Sequence, residues 1–182
     1  MTEVQVSQMD VEHLQIIRNN VVAFLKYVSK KYAGRAGRLL DIAPQVHEGA
    51  RPFFSLEISI DTLDIDPNSR CTYIGDICQY NARIRDESYD YAVCTEVLEH
   101  TLQPFDAVDE IWRMMKPNGF VFITTPFNFR IHGPLPDCWR FTEHGLRALL
   151  KPFQILELKC IETLQRALMP VHYTVIAQKV CS

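Results

Sequence analysis

The stretch SIDTLDIDPNSRCTYIGD at 59–76, read together with LLDIA at 39–43, sets the expected architecture. Three short apolar runs each close on an acid: the first on Asp41, the second on Asp64 to Asp66, the third on Asp76. Runs of this length bounded by turn residues read as buried strands. Three in succession place their carboxylates along one edge of a parallel sheet. In an open α/β sheet that edge is a crevice, and whatever follows each strand faces a bound ligand. One carboxylate there can accept both hydroxyls of a ribose and the next can accept an adenine amino group, so the spacing points to an adenosine-containing cofactor.

Upstream, Val11, Leu14, Ile17, Val21, Phe24, Leu25 and Val28 recur at three and four, predicting an amphipathic helix over 10–32 with Asp10 as its cap and Gly34 and Gly37 beyond its end. Strands are expected over Arg38 to Ala43 and Ile58 to Ile65. About 14 residues separate them, Pro44 and Pro52 among them, close to the shortest parallel crossover. The first crossover helix must therefore be short. Downstream come a brief strand at Cys71 to Ile74, a loop from Gly75 to Ser88 and a strand at Tyr89 to Thr95. A helix marked by Phe105, Val108, Ile111, Trp112 and Met115 follows, ending at the turn KPNG, 116–119. Phe120 to Thr125 is the fifth strand, and a helix near 143–150 precedes two last strands near 153–160 and 172–179. Strand and helix in alternation, closed by a late strand pair, predict an α/β fold: a doubly wound, mostly parallel seven-stranded sheet.

The chain has 182 residues, 47% of them hydrophobic, and no linker-like tract, which fits one domain over 1–182 with 1–34 as an N-terminal helical cap. A net charge of −3 with dispersed Lys and Arg argues against a nucleic-acid partner. Neither a basic-apolar leader nor a membrane-spanning run is present, so a cytoplasmic protein with no membrane partner is expected. The six cysteines form no C-x-x-C pair and read as reduced and structural, with Cys138 set apart in a polar loop.

That loop, PFNFRIHGPLPDCWRFT at 126–142, is long enough to be functional. Pro126, Pro134 and Pro136 stiffen it, and Phe127, Asn128, Trp139 and Arg140 are candidate contacts for a second substrate. Phe141 is expected to pack on the core, and His144 and His172 to sit on a helix end and a strand with no chemistry attached. Glu96, Glu99 and His100 follow the fourth strand at spacings that share one face of a helix. His100, with His132 from the loop, is the candidate catalytic pair: an imidazole near neutral pH can take a proton from an acceptor hydroxyl or amine. The same carboxylates and imidazoles could instead hold a divalent cation; no metal is assigned.

With these residues, the chain resembles a class I S-adenosylmethionine-dependent methyltransferase of the type 11 branch, over roughly residues 35–180. The resemblance is carried by LLDIA, TLDIDP, GDI at 75–77, SYDYAVCTEVLEH at 88–100 and MMKPNGFVFITTPF at 114–127. It implies that Asp64 binds the ribose hydroxyls and Asp76 the adenine amino group, with the Ile77 backbone and the Ile65 side chain against the adenine ring. Asp41, Ala43 and Pro44 would form the cofactor turn, and Thr95 and Glu96 would line the methionine part, while Glu99 and His100 brace the segment. The first motif departs from the pattern: relatives alternate glycines after the acid, whereas here Ala43, Gln45 and His47 fill those positions and Gly49 comes later. The activity implied is methylation of a small-molecule acceptor, a sugar or secondary metabolite, with the first helix over part of its pocket. Two alternatives stand beside it. One is a noncatalytic scaffold or partner subunit that has lost the cofactor turn. The other is a metal-dependent O-methyltransferase, since EVLEH is similar to the Glu-x-x-Glu-His group of ubiquinone-pathway and small-RNA 2′-O-methyltransferases. The RNA version expects a basic face that this composition lacks.

Overall fold

The computed structural model describes residues 6–44 and 49–180. Helix α1 spans Gln8–Lys31 and begins at Ser7 rather than Asp10. The Ser7 hydroxyl accepts from the Asp10 N–H while the Asp10 carboxylate returns to the Ser7 N–H, so Asp10 is the far member of a capping box. Strand β1, Gly37–Ile42, follows, and the crossover to β2, Ile58–Asp64, holds only a 3₁₀ turn, Arg51–Phe53. Strand β3 is reduced to Tyr73–Ile74, and 75–88 is loop, as expected. Strand β4 is Tyr89–Thr95 and helix α2 is Pro104–Met114. Strand β5, Met115–Pro126, starts at once, so KPNG is not a free turn. It is an irregular stretch between the pairs Tyr89↔Met115 and Tyr91↔Phe120, with Asn118 at φ 65°. Helix α3 is Glu143–Leu149, and β6, Gln154–Thr163, and β7, Arg166–Gln178, form the closing hairpin.

The seven strands lie in the order β3-β2-β1-β4-β5-β7-β6, with β7 antiparallel to both neighbours and the rest parallel. The order reverses between β1 and β4, the switch point at which such sheets bind ligands. Period-two alternation covers both faces. Leu40, Ile42, Cys94 and Ile123 point into a core with Val108, Ile111 and Met114 of α2 and Leu146 of α3. Leu39, Val93, Phe122 and Ile176 meet Phe24, Leu25 and Val28 of α1 on the other face. Because α1 supplies Phe24, Leu25 and Val28 to that second core, it packs as a layer against this face of the sheet. Glu157 on edge strand β6 pins its end, accepting from the Tyr27 and Tyr32 hydroxyls and from Lys31.

Candidate active site

The turn after β1 is built around a buried carboxylate. Asp41 is 3% exposed, and its Oδ2 accepts the Ala50 N–H at 2.6 Å. Burial pushes its carboxyl up to about 6, against the pull of that N–H. Ala43 has φ 50°, the left-handed conformation glycine adopts most cheaply, so the smallest side-chain residue occupies a glycine position. Gly49 is also left-handed, at φ 55°, and a Cβ there would stand 2.3 Å from Asp41 Oδ2 and 2.7 Å from Pro44 Cβ. A side chain at this position would therefore not fit. Gln45 and His47 lie outside the described residues.

Past β2 and β3, the two acids are shaped by their own neighbours. Asp64 Oδ1 accepts the Asp66 N–H at 2.9 Å, and Asp76 Oδ1 accepts the Cys78 N–H at 2.9 Å. Each leaves Oδ2 without a hydrogen-bond partner among the described residues, at a half-buried position. Ile65 beside them is 67% exposed, whereas Ile77 is buried in the core and can offer a ligand only its backbone.

After β4 the expected shared helix face does not form. Thr95 ends the strand half-buried, and Glu96 sits at φ 55°, which no helix allows, so only a 3₁₀ turn, Leu98–His100, follows. The two acids diverge. Glu96 Oε1 accepts from Thr124 Oγ1 at 2.8 Å and from His172 Nε2 at 2.7 Å. Glu99 is completely buried, and neither of its oxygens has a hydrogen-bond partner among the described residues. Burial first, and the nearby Glu96 charge second, push its carboxyl well above the ordinary range.

Two imidazoles face that carboxylate. His100 Nε2 lies 3.9 Å and His132 Nε2 4.0 Å from Glu99 Oε1. His100 Nδ1 donates to the Pro136 carbonyl at 2.9 Å, and His132 Nδ1 lies 3.1 Å from Asp137 Oδ2 and 3.3 Å from the Arg130 carbonyl. Acceptors on both Nδ1 atoms fix the hydrogens there and leave both Nε2 lone pairs turned toward Glu99. One ligand atom from each of Glu99, His100 and His132 falls within 4.8 Å of the others.

The loop after β5 is braced from within. Arg140 commits all five N–H groups, to the carbonyls of Phe129, Arg130 and Trp139 and to both oxygens of Asp137. That leaves it no donor for an acceptor molecule. Burial alone would raise the Asp137 carboxyl, but Arg140 and the His132 N–H hold it down at about 2. Trp139 donates Nε1–H to the Thr101 carbonyl and stacks on the core residue Phe141 at 6.1 Å, and it remains 41% exposed. Phe127 lies edge-on to Tyr173. Asn128 donates to Thr163, and its carbonyl accepts from His13 of α1. His144 is exposed on α3, as expected. His172 lies on strand β7, as expected, and is buried against Glu96. Nothing in its flanking residues signals this, because the antiparallel pairing of His172 with Pro126 is what brings it there.

A family model described as a methyltransferase domain matches residues 13–181. The ubiquinone biosynthesis O-methyltransferase of Vibrio cholerae serotype O1 is 28% identical over 116 residues, covering 56% of this chain and 47% of the relative. The Proteus mirabilis protein of the same name is 37% identical over 54 residues, 30% of this chain and 22% of the relative. The chain thus matches about half the length of the first of these relatives and less of the second. Among solved structures, the N-methyltransferase NodS of Bradyrhizobium japonicum, in complex with S-adenosylhomocysteine, superposes with a TM-score of 0.65 at 15% identity, over 90% of this chain and 87% of that one. The [4+2]-cyclase SpnF superposes with a TM-score of 0.69 at 16% identity, over 88% and 81%. At such identities the likeness concerns the fold, which carries more than one chemistry.

Proposed function

This chain belongs to the methyltransferase-domain family, and from that premise we propose that it transfers a methyl group from S-adenosylmethionine to a small-molecule acceptor, with a sugar or secondary metabolite as the finer reading. The observation that carries the proposal is the row of carboxylates at the ends of β1, β2 and β3. The residues fit the cofactor: Asp64 and Asp76 each keep an oxygen free among the described residues, and Gly49 packs so closely on Asp41 and Pro44 that a side chain would not fit there. When bound, S-adenosylmethionine supplies an electrophilic methyl group on a sulfonium. Asp64 would hold the ribose hydroxyls and Asp76 the adenine amino group, with Ile65 against the ring. Asp41 keeps the turn closed by holding the Ala50 N–H.

The protein's remaining task is to align an acceptor lone pair with the methyl carbon, to exclude water and to take up the acceptor's proton. Phe127 and Trp139 offer apolar walls for that acceptor. His100 and His132, each with Nε2 unprotonated, are the candidate proton acceptors. Calorimetry with S-adenosylhomocysteine tests the reading: wild type binds, and Asp64→Ala weakens binding by about 1.5–3 kcal/mol, the worth of hydrogen bonds to a charged group. A wild type that binds no S-adenosylhomocysteine would instead favour the noncatalytic scaffold.

One observation favours a second reading, in which a divalent cation aids an O-methyl transfer. A buried carboxylate without donors needs a proton or a cation, and Glu99 faces two imidazole lone pairs at metal-ligand reach. Such an ion would lower the pKa of a coordinated acceptor hydroxyl. Titration with Mn²⁺ followed by electron paramagnetic resonance tests it: binding lost in Glu99→Gln supports the cation, and no binding by wild type sets it aside.

A further inference from the structure

We infer that His172 is a positioning residue for the amino-acid end of the methyl donor, acting through Glu96 and tying cofactor binding to helix α1; the inference rests on the methyl-donor reading above. His172 is fully buried and both ring nitrogens are engaged, Nδ1 at 2.8 Å from Asn20 Nδ2 and Nε2 at 2.7 Å from Glu96 Oε1. An amide NH₂ can only donate, so Nδ1 is the acceptor and Nε2 carries the hydrogen that Glu96 accepts. The Thr124 hydroxyl, at 2.8 Å, is a second donor to the same oxygen. Glu96 Oε1 is thereby held from β5 and β7 together, while Oε2 has no partner among the described residues.

The backbone adds a second observation. Glu96 holds φ 55°, a conformation that a residue with a side chain keeps only when its surroundings impose it. The consequence of that conformation is to swing the carboxylate off the strand end and onto His172 and Thr124.

Order along the sheet then supplies the ligand. From β3 to β4 the strand ends present Asp76, Asp64, the Asp41 turn and Glu96, with neighbouring strands about 4.8 Å apart. A nucleoside whose base and ribose occupy the first two positions extends its amino-acid tail toward the last. There the free oxygen of Glu96 suits an ammonium group. Asn20 lies on α1, and His13 of the same helix donates to the Asn128 carbonyl in the acceptor loop. Seating the tail therefore acts on the helix that also touches the acceptor side.

Calorimetry with two probes tests this: S-adenosylhomocysteine, and 5′-methylthioadenosine, which keeps the adenosine and thioether but lacks the amino acid. We expect Glu96→Gln and His172→Leu to weaken S-adenosylhomocysteine roughly tenfold, the loss of one hydrogen bond to a charged group. Asn20→Ala, further from the ligand, should weaken it about threefold. Methylthioadenosine affinity should stay within about twofold throughout, and His172→Gln, whose amide can donate in place of Nε2, should recover part of the loss. Glu96→Gln and Asn20→Ala carry the test if His172→Leu does not fold, as thermal melts without ligand will show. Equal losses for both probes, or no loss for either, overturn the inference while leaving the methyl-donor reading standing. A wild type that binds neither probe removes both.

Discussion

Past β2 and β3 each acid is shaped by a residue two places along the chain, Asp64 by Asp66 and Asp76 by Cys78. Past β4 and β5 the partners are remote: Glu96 is held by His172, His100 by Pro136, and Trp139 by Thr101. The cofactor edge is therefore organised by turns that form with the strands themselves. The acceptor edge exists only once the loop after β5 has packed against the segment after β4. Glu99 shows the join, since its carbonyl accepts from both Cys138 and Trp139 while its carboxylate is sealed beneath. The adenosine-binding edge and the acceptor loop should accordingly fail separately, and four measurements can show whether they do.

The largest effect is expected from Arg140→Ala, which strips the buried Asp137 carboxylate of its cation and leaves it chiefly the His132 N–H, and should cost about 3–5 kcal/mol in urea denaturation. S-adenosylhomocysteine affinity should fall only about twofold if the edges are independent. A collapse of both would show that the loop supports the cofactor turn.

A second effect is a pH dependence carried by Asp41. Its carboxyl is raised from 3.8 to about 6, so the folded protein binds that proton more tightly than the unfolded chain does. The stabilisation is fully present below about pH 4 and is lost as pH rises through about 6. The change amounts to about 3 kcal/mol at 1.36 kcal/mol per unit. Glu99 is shifted in the same direction, so the quantity to measure is the difference between wild type and Asp41→Asn. The substitution should flatten that part of the curve, and parallel curves would contradict the burial of Asp41.

Third, Gly49→Ala sets a methyl group against the Asp41 carboxylate at a left-handed position and should cost about 1–3 kcal/mol, read as weaker S-adenosylhomocysteine binding. The Mn²⁺ titration at Glu99 should not change. Smallest is Ser7→Ala, which removes the α1 cap and should lower stability by about 1 kcal/mol with both binding properties intact. A loss of ligand affinity in that variant would mean that α1 contributes to the site along its whole length.

Much of the fold can be read from the chain because its signals are local. Apolar runs ending in Asp41, Asp64 and Asp76, the helical period over 10–32 and the late strand pair led to the seven-stranded sheet. Local spacing misleads at one point and leaves another incomplete. Glu96, Glu99 and His100 are spaced for one helix face, yet Glu96 turns left-handed because Thr124 and His172 hold its side chain. Arg140 has the composition of a substrate contact, yet the carbonyls of its own loop engage its donors. His172 was invisible for the opposite reason: its partners come from α1, β4 and β5, and no window of sequence contains them.

What the linear order of residues dictated is the alternation of strand and helix, the acids at strand ends and the short first crossover, since backbone periodicity and turn chemistry act over a few residues. Folding alone decided which oxygens stay free, which histidine nitrogens carry hydrogen, and that Gly49 closes the turn where Ala43 stands in a glycine position. Those outcomes depend on burial and on hydrogen-bond partners from distant strands, and such partners have no fixed distance along a chain.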